Sequence, residues 1–98
     1  MSLTSQPTRI TVVESEGCHF CEDAHLALAE AAHRYPLDIT TVDALSESGQ
    51  RLMQVHRAWM SPLVLLDGEF FSHGRLPRRK LAAALARRGA GPLNRPVG

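Results

Sequence analysis

The two cysteines of this 98-residue chain, Cys18 and Cys21, lie three residues apart. A disulfide scaffold needs more cysteines, spread far enough along the chain to close long loops. A bridge between Cys18 and Cys21 would close almost no loop and would stabilise a fold little. The chain must therefore fold around a hydrophobic core, and the cysteine pair is expected to serve reactivity or metal binding.

The composition is that of one globular domain. Hydrophobic residues make up 44% of the chain, and no apolar run approaches the ~18 residues needed to cross a bilayer. The polar first residues lack the apolar stretch of a secretory signal, so we expect a cytoplasmic protein without membrane association. Residues 1–50 carry two arginines and eight acids (net −6), whereas residues 51–98 carry nine basic residues and two acids (net +7). This asymmetry would orient a charged partner.

The hydrophobic pattern predicts elements in the order β-α-β-α-β-β-α. Apolar and β-branched segments predict strands at residues 9–14, 37–42, 62–66 and 69–72. Helical spacing predicts helices at residues 20–34, 46–57 and 77–88. Phe20 is expected on the buried stripe of the first helix, and Asp67-Gly68 is a strong hairpin signal between the last two strands.

This order predicts an α/β fold. The early alternation implies parallel strands joined by helical crossovers, and the hairpin adds an antiparallel edge. We therefore expect a four-stranded mixed sheet with helices on both faces, formed by residues 9–88. Residues 1–8 and 89–98 are expected to be flexible ends, and the protein is expected to be a monomer.

The predicted position of the dithiol suggests different roles for its two thiols. Cys18 falls at the strand-to-helix junction, just after Gly17, where the free N–H groups and the helix dipole favour thiolate over thiol. Cys21 lies one turn inside the helix, beside Cys18 and shielded from solvent. We therefore expect Cys18 to attack a substrate disulfide and Cys21 to resolve the resulting mixed disulfide.

Acidic residues near the dithiol oppose this activation. Nearby carboxylates disfavour the thiolate and would raise the pKa of the Cys18 thiol, whereas a protonated His19 would partly offset them. The sequence therefore predicts a weaker nucleophile than a dithiol with basic neighbours. The acids concerned are Glu14, Glu16, Glu22 and Asp23.

A metal site is an alternative interpretation of the same segment. Cys18, Cys21 and His25 could face one side, but zinc needs a fourth ligand, and no second Cys-x-x-Cys or His-x-x-x-His supplies one. His25, like His33 and His56, is expected to be a surface residue or to be satisfied by a neighbour. We therefore predict no metal.

The basic residues of the last predicted helix could indicate nucleic-acid binding. They lie within a predicted amphipathic helix whose apolar face is formed by Leu76, Leu81, Ala84 and Leu85. A solvated helix face is the favoured interpretation, so no nucleic-acid partner is predicted. The basic residues are Arg78, Arg79, Lys80, Arg87 and Arg88.

With the dithiol in this element order, residues 9–88 resemble the glutaredoxin-like branch of the thioredoxin superfamily. Gly17-Cys18-His19-Phe20-Cys21-Glu22 is similar to the site of small bacterial glutaredoxin-like proteins with a Cys-His-x-Cys motif. Three further segments support the resemblance by their positions along the chain. They are Met60-Ser61-Pro62 before the third strand, Asp67-Gly68 in the last turn, and Gly74-Arg75-Leu76 before the final helix.

The resemblance implies a thioredoxin-like fold and a thiol–disulfide oxidoreductase that reduces protein or low-molecular-weight disulfides, with Cys18 and Cys21 as catalytic residues. It also implies a cis bond at Pro62 and a substrate contact through the backbone of Ser61. No bound cofactor is expected, although glutathione or another small thiol could be a co-substrate. The candidate substrate-binding residues are His19, Phe20, Trp59, Met60, Ser61, Pro62, Gly74 and Arg75.

Three alternatives remain open. Trp59 could line a substrate groove or pack in the core. Ser15 stands where glutathione-using glutaredoxins usually carry Lys or Arg, which leaves the physiological thiol open. A rival to catalysis is a thioredoxin-fold module that docks a partner through its basic second half, with the dithiol as a redox sensor.

Overall fold

The structure is a computed structural model that describes residues 6–94, with side chains described for residues 6–88. It contains four strands and three helices in the predicted order. The elements are β1 (Thr8–Glu14), α1 (His19–Ala32), β2 (Leu37–Asp43), α2 (Glu47–Val55), β3 (Leu63–Leu66), β4 (Glu69–His73) and α3 (Arg78–Asn94).

The four strands form one mixed sheet in the order β2-β1-β3-β4. β1 and β2 are parallel, with Ile10 opposite Ile39, and α1 connects them. β3 runs antiparallel to both β1 and β4. The predicted α/β fold with a four-stranded mixed sheet is thus confirmed, and β1 lies at its centre with its carboxyl end leading to the dithiol.

The core consists of two clusters that share the central strands. The first combines residues of β1 and β3 with residues of α1 and α3: Ile10, Val12, Ala24, Ala27, Leu28, Val64, Leu66, Leu76, Leu81, Ala84 and Leu85. The second combines Val13, Leu63 and Leu65 with Ala58, and Leu52 and Met53 of α2 pack against it. Because alternate residues of a strand point to opposite sides, neighbours such as Val12 and Val13 belong to different clusters.

The buried stripe of α1 differs from the prediction at its start. Cys21, Ala24 and Leu28 are buried, whereas Phe20 is 42% exposed. The expectation that Phe20 joins the buried stripe is therefore wrong. The helix begins at His19, and the stripe that packs on the sheet begins at Cys21, so Phe20 in the first turn extends beyond it.

The last helix is longer than predicted. α3 continues to Asn94 through Gly89, Gly91 and Pro92, past the expected end before Gly89. A single glycine inside a helix costs only about 1 kcal/mol relative to alanine, so Gly89 alone does not end it. β1 also begins at Thr8, inside the segment expected to be flexible. Residues 1–5 and 95–98 lie outside the described residues, so the flexibility of the ends stays a prediction. No helix in the described part of the chain has the length and apolarity to cross a membrane.

Asp67 in the β3–β4 turn connects three parts of the fold. Its backbone has a positive φ of 51°, a conformation that Asn and Asp tolerate better than most residues. Its carboxylate accepts hydrogen bonds from the Arg9 backbone N–H at 2.9 Å and from the Arg88 Nε at 3.1 Å. The hydrogen bond from Arg9 lowers the pKa of Asp67 from its ordinary value, with a further contribution from Arg88 and some opposition from burial.

We expect Asp67→Asn to remove a pH-dependent stabilisation while keeping the turn. Since the pKa of Asp67 is lower in the folded state, the charged carboxylate stabilises the fold above its unfolded pKa, about 3.9, and this stabilisation is lost as the pH falls through the folded pKa. The loss in the free energy of unfolding is expected to be below about 1 kcal/mol near neutral pH, because the side chain is 42% exposed. Urea unfolding near neutral pH and again near pH 3 measures it. An undiminished difference at the acidic pH would contradict the role of the charge.

Candidate active site

The dithiol lies at the point where the central strand leads into the first helix. After β1 the chain turns through Gly17, whose φ of 71° favours glycine. Cys18 is the N-cap of α1, and its Sγ accepts a hydrogen bond from the Cys21 backbone N–H at 3.1 Å. The two Sγ atoms are joined as a disulfide, with their Cα atoms 5.1 Å apart. The predicted position of the cysteine pair at a strand-to-helix junction is confirmed.

The two sulfurs differ in their access to solvent. Cys18 is partly exposed, whereas Cys21 is buried, with a relative exposure of 4%. A substrate therefore reaches Cys18 first. The N–H of Cys21 also points at the Cys18 sulfur, and a hydrogen bond of this kind favours a negative charge on the acceptor.

The loop before β3 lies against the dithiol. The Ser61–Pro62 peptide bond is cis, as the resemblance implies. The Cys18 Sγ lies 3.8 Å from the Ser61 carbonyl oxygen, and the Ser15 hydroxyl donates to the Ser61 Oγ at 2.8 Å. The disulfide sulfur carries no proton, so a hydrogen bond to the Ser61 carbonyl forms only when Cys18 is a thiol. The fold thus brings Ser61 and Pro62 to Cys18 from 43 residues further along the chain.

An apolar rim continues from this loop. Trp59 is 79% exposed and Met60 is 37% exposed, so the core-packing alternative for Trp59 is wrong. The Trp59 ring stands edge-on to the His73 ring, with their centroids 5.4 Å apart. The Phe70 ring centroid lies 5.9 Å from the His73 ring centroid. The rim of Trp59, Met60 and Phe70 therefore presents a large apolar surface beside Ser61.

The remaining candidate residues occupy different parts of this end of the molecule. Gly74 donates its backbone N–H to the Pro62 carbonyl at 3.0 Å. A Cβ at Gly74 would lie 3.3 Å from the Met60 Cε, so the glycine lets Met60 pack over it. Arg75 is exposed. His19 has a side chain that is 95% exposed, with its Nδ1 3.9 Å from a Glu22 carboxylate oxygen.

Three of the four acids expected to oppose the thiolate face a basic partner. The Arg78 Nη1 lies 3.0 and 3.1 Å from the two Asp23 carboxylate oxygens, and the Arg78 Nε lies 3.3 Å from a Glu30 oxygen. These hydrogen bonds, to Asp23 first and then to Glu30, raise the pKa of Arg78 above its ordinary value.

Histidines face the other two of these three acids, Glu14 and Glu22. The His25 Nε2 lies 2.6 Å from a Glu14 carboxylate oxygen, and Glu22 faces His19. Sequence patterns do not predict the Arg78 and Glu14 pairs, because the members of each pair come from different elements. His25, expected to be a surface residue or to be satisfied by a neighbour, is partly exposed and pairs with Glu14.

Two further observations concern metal binding and the buried polar atoms near the site. In the part of the chain that the structure describes, no group of three or more His, Cys, Asp or Glu side chains is placed to hold a metal ion. Among the described residues, the buried Ser72 Oγ and His73 Nδ1 have no hydrogen-bond partner. The His73 ring makes edge-type contacts with the rings of Trp59 and Phe70 in the apolar rim.

No protein-family model and no curated protein matches this chain. Among solved structures, it is similar to a Staphylococcus aureus protein described as a protein of unknown function. The TM-score is 0.63 at 11% sequence identity, and the similarity covers 93% of this chain and 99% of that chain. At this identity the likeness extends to the fold alone, so the chemistry has to be argued from the dithiol and the residues around it.

Proposed function

We propose that this chain is a thiol–disulfide oxidoreductase of the glutaredoxin-like branch of the thioredoxin superfamily. The observation that carries the proposal is the setting of Cys18. It is the N-cap of α1, its sulfur accepts the Cys21 backbone N–H, and the Ser61 carbonyl oxygen is 3.8 Å away. A partly exposed sulfur at a helix N-terminus is the typical position of a reactive cysteine.

The packing supports a thioredoxin-like topology with helices on both faces of the sheet. Residues of α1 and α3 share one core cluster with Ile10 and Val12. Residues of α2 pack against the other cluster, which contains Val13. Since Val12 and Val13 project to opposite sides of β1, α2 is assigned to the face opposite α1 and α3.

The proposed reaction begins with the reduced protein. The Cys18 thiolate attacks one sulfur of a substrate disulfide, whose S–S bond breaks as the other sulfur leaves as a thiolate. Cys21, as a thiolate, then attacks the Cys18 sulfur, and the substrate's remaining sulfur leaves with the electron pair. The substrate disulfide is reduced to two thiols while Cys18 and Cys21 are oxidised to the disulfide. A second thiol, protein-bound or of low molecular weight, must reduce the pair again.

The apolar rim supports a protein disulfide as the substrate. Trp59 and Met60 lie two residues and one residue before Ser61, respectively, and Phe20 is exposed in the first turn of α1. Exposed aromatic side chains of this kind contribute large contact areas to interfaces. Glutathione or another small thiol is then assigned to the reducing half of the cycle. A reducing cytoplasm would supply such thiols.

The test compares the reduced wild-type protein with the Cys18→Ser/Cys21→Ser double variant in reduction of a protein disulfide and of a small-thiol disulfide. The wild-type protein is expected to turn over at least one of them in the presence of a thiol reductant, and the double variant is expected to remain at the uncatalysed rate. Circular dichroism of both proteins controls for folding. A wild-type rate no higher than that of the folded double variant, on both substrates, would overturn the proposal.

A further inference from the structure

A groove lies between the outer edge of β4 and helix α3, and we call it the β4–α3 groove. The sheet ends at β4, which pairs only with β3 among the described strands. The groove has a volume of about 360 Å³, and neither cysteine lines it. Leu66 and Ala84 are buried beneath it, and Phe71 packs against the same core cluster. The floor of the groove is therefore apolar and continuous with the hydrophobic core.

The helical wall of the β4–α3 groove is basic. Lys80 and Arg87 are exposed residues of α3 that line the groove, and they lie about two helical turns apart on the same side of the helix. The Lys80 Nζ is 5.7 Å from the centroid of the Phe71 ring, a cation–π contact that holds the ammonium group over the floor. In the part of the chain with described side chains, the ion pairs of α3 use Arg78 and Arg88, and none uses Lys80 or Arg87. Both charges are therefore available to an anionic partner.

The opposite wall of the β4–α3 groove is the free edge of a strand. An edge strand presents a row of backbone N–H and C=O groups without partners, and an extended peptide can pair with them as an added strand. β4 is five residues long, so an added segment of similar length covers its edge. Phe70 of β4 lines the groove and also belongs to the apolar rim, so the groove adjoins the surface beside the dithiol. The free edge, the apolar floor and the basic wall together fit an extended acidic peptide.

Two other occupants fit the β4–α3 groove less well. A single-stranded nucleic acid stacks its bases on exposed aromatic rings, but Phe71 is packed against the core and lies under Lys80. The Glu69 carboxylate also lines the groove and would repel a phosphate backbone. A second copy of this chain could offer the acidic edge strand β2, which carries Asp38 and Asp43. Pairing of β2 with β4 is a head-to-tail contact, however, and such contacts lead to open filaments unless the rotation closes a ring.

We infer that the β4–α3 groove is a docking site for an extended, acidic peptide segment of a partner protein. The segment adds to β4 as a strand, and carboxylates on its alternate residues face Lys80 and Arg87. Two turns of helix rise about 10 Å, and alternate residues of a strand lie about 7 Å apart, so two or three carboxylates span the distance between the two cations. The inference does not rest on the thiol chemistry, because neither cysteine is part of the groove.

The test measures binding of a short fluorescent peptide of alternating glutamate and threonine residues by anisotropy at low ionic strength. The protein carries Cys18→Ser/Cys21→Ser throughout, so that no disulfide exchange contributes. Adding Lys80→Gln/Arg87→Gln is expected to weaken binding about 10-fold or more, because both cations of the groove are lost. The matched control adds Arg51→Gln/Arg79→Gln, which removes two exposed cations outside the groove and gives the same net charge. It is expected to weaken binding less than about 2-fold. Circular dichroism of each variant controls for folding.

Two backbone variants of the peptide test whether it adds as a strand. N-methylation of alternate residues removes the hydrogen-bond donors from one edge of the peptide, and the two possible sets give two peptides. One of them is expected to bind about 10-fold more weakly than the unmethylated peptide, because its methyl groups face β4.

The remaining outcomes each overturn the inference. These are the absence of saturable binding, equal affinity of all three peptides, and equal weakening by the groove variant and its matched control. Tighter binding of an oligothymidylate, lost in Lys80→Gln/Arg87→Gln, would assign the groove to nucleic acid instead. Self-association in analytical ultracentrifugation that is lost in the same variant would assign it to a second copy of the chain. Because the cysteines are absent from every arm, failure of the proposed function would not change these results.

Discussion

In the Cys21→Ser variant, Cys18 is expected to capture a disulfide-bonded protein substrate as a stable mixed disulfide, whereas the Cys18→Ser variant captures none. The reason is the asymmetry of the pair. Cys18 is partly exposed and its sulfur accepts a backbone N–H at 3.1 Å, but Cys21 is only 4% exposed. Loss of the attacking sulfur should reduce turnover on the order of 10³-fold or more, as removal of a nucleophile does in other covalent mechanisms.

Mass spectrometry of each variant after incubation with the substrate gives the measurement. The expected adduct on Cys21→Ser has the combined mass of the two chains and disappears on addition of a reductant. The double variant is the matched control for non-covalent association. Equal amounts of adduct on Cys18→Ser and Cys21→Ser would contradict the assignment, because the two sulfurs would then be equally able to attack.

The sequence predicted the elements that position the dithiol to within a few residues. β1 and β3 are dense in β-branched and leucine side chains; β3 is buried along its whole length and β1 buries Ile10, Val12 and Val13, so their pattern is strong. Ser46 accepts the Gly49 N–H as the N-cap of α2, so the helix begins within one residue of the start predicted from helical spacing. Cys18 itself followed from the position of Gly17 between a strand and a helix.

The contacts between elements were much harder to predict. The strand pattern gives the side of β1 on which Glu14 lies, and the helix pattern gives the face of His25. Neither pattern gives the distance between α1 and the end of β1, which decides whether the two side chains meet. The same applies to Arg78, which amphipathicity assigned to a solvated face and which in addition pairs with Asp23.

The predictions of burial for residues at the ends of elements were wrong for a related reason. Phe20 falls at helical spacing with Ala24 and Leu28, but periodicity does not show where the sheet beneath a helix ends. Trp59 has an apolar ring that would suit a core, yet it lies in the loop before Ser61 and is 79% exposed. Exposed aromatic residues at these places are the part of the site that composition and spacing least constrain.

Helix α1 contains the residue, Leu28, whose substitution is expected to have the largest effect on stability. Leu28 is fully buried in the cluster that joins α1 and α3 to β1 and β3. Leu28→Ala removes apolar contacts and leaves a cavity, so we expect the free energy of unfolding to fall by about 2–5 kcal/mol. Leu26→Ala, on the same helix at 61% exposure, is the matched control and is expected to change it by less than about 0.5 kcal/mol. Denaturant unfolding of the two reduced variants measures both values.

This comparison also separates stability from thiol chemistry. A small domain has only about 5–15 kcal/mol of stability, so Leu28→Ala could lower activity simply by unfolding part of the population. Leu28 lies nearly two turns from Cys21, and the groups that contact the Cys18 sulfur are the Cys21 N–H and the Ser61 carbonyl. The folded fraction of Leu28→Ala is therefore expected to react with a thiol reagent at the wild-type rate when both are compared at low temperature without denaturant. A slower rate per folded molecule would show that the position of α1, and not only the local N-cap, sets the reactivity of Cys18.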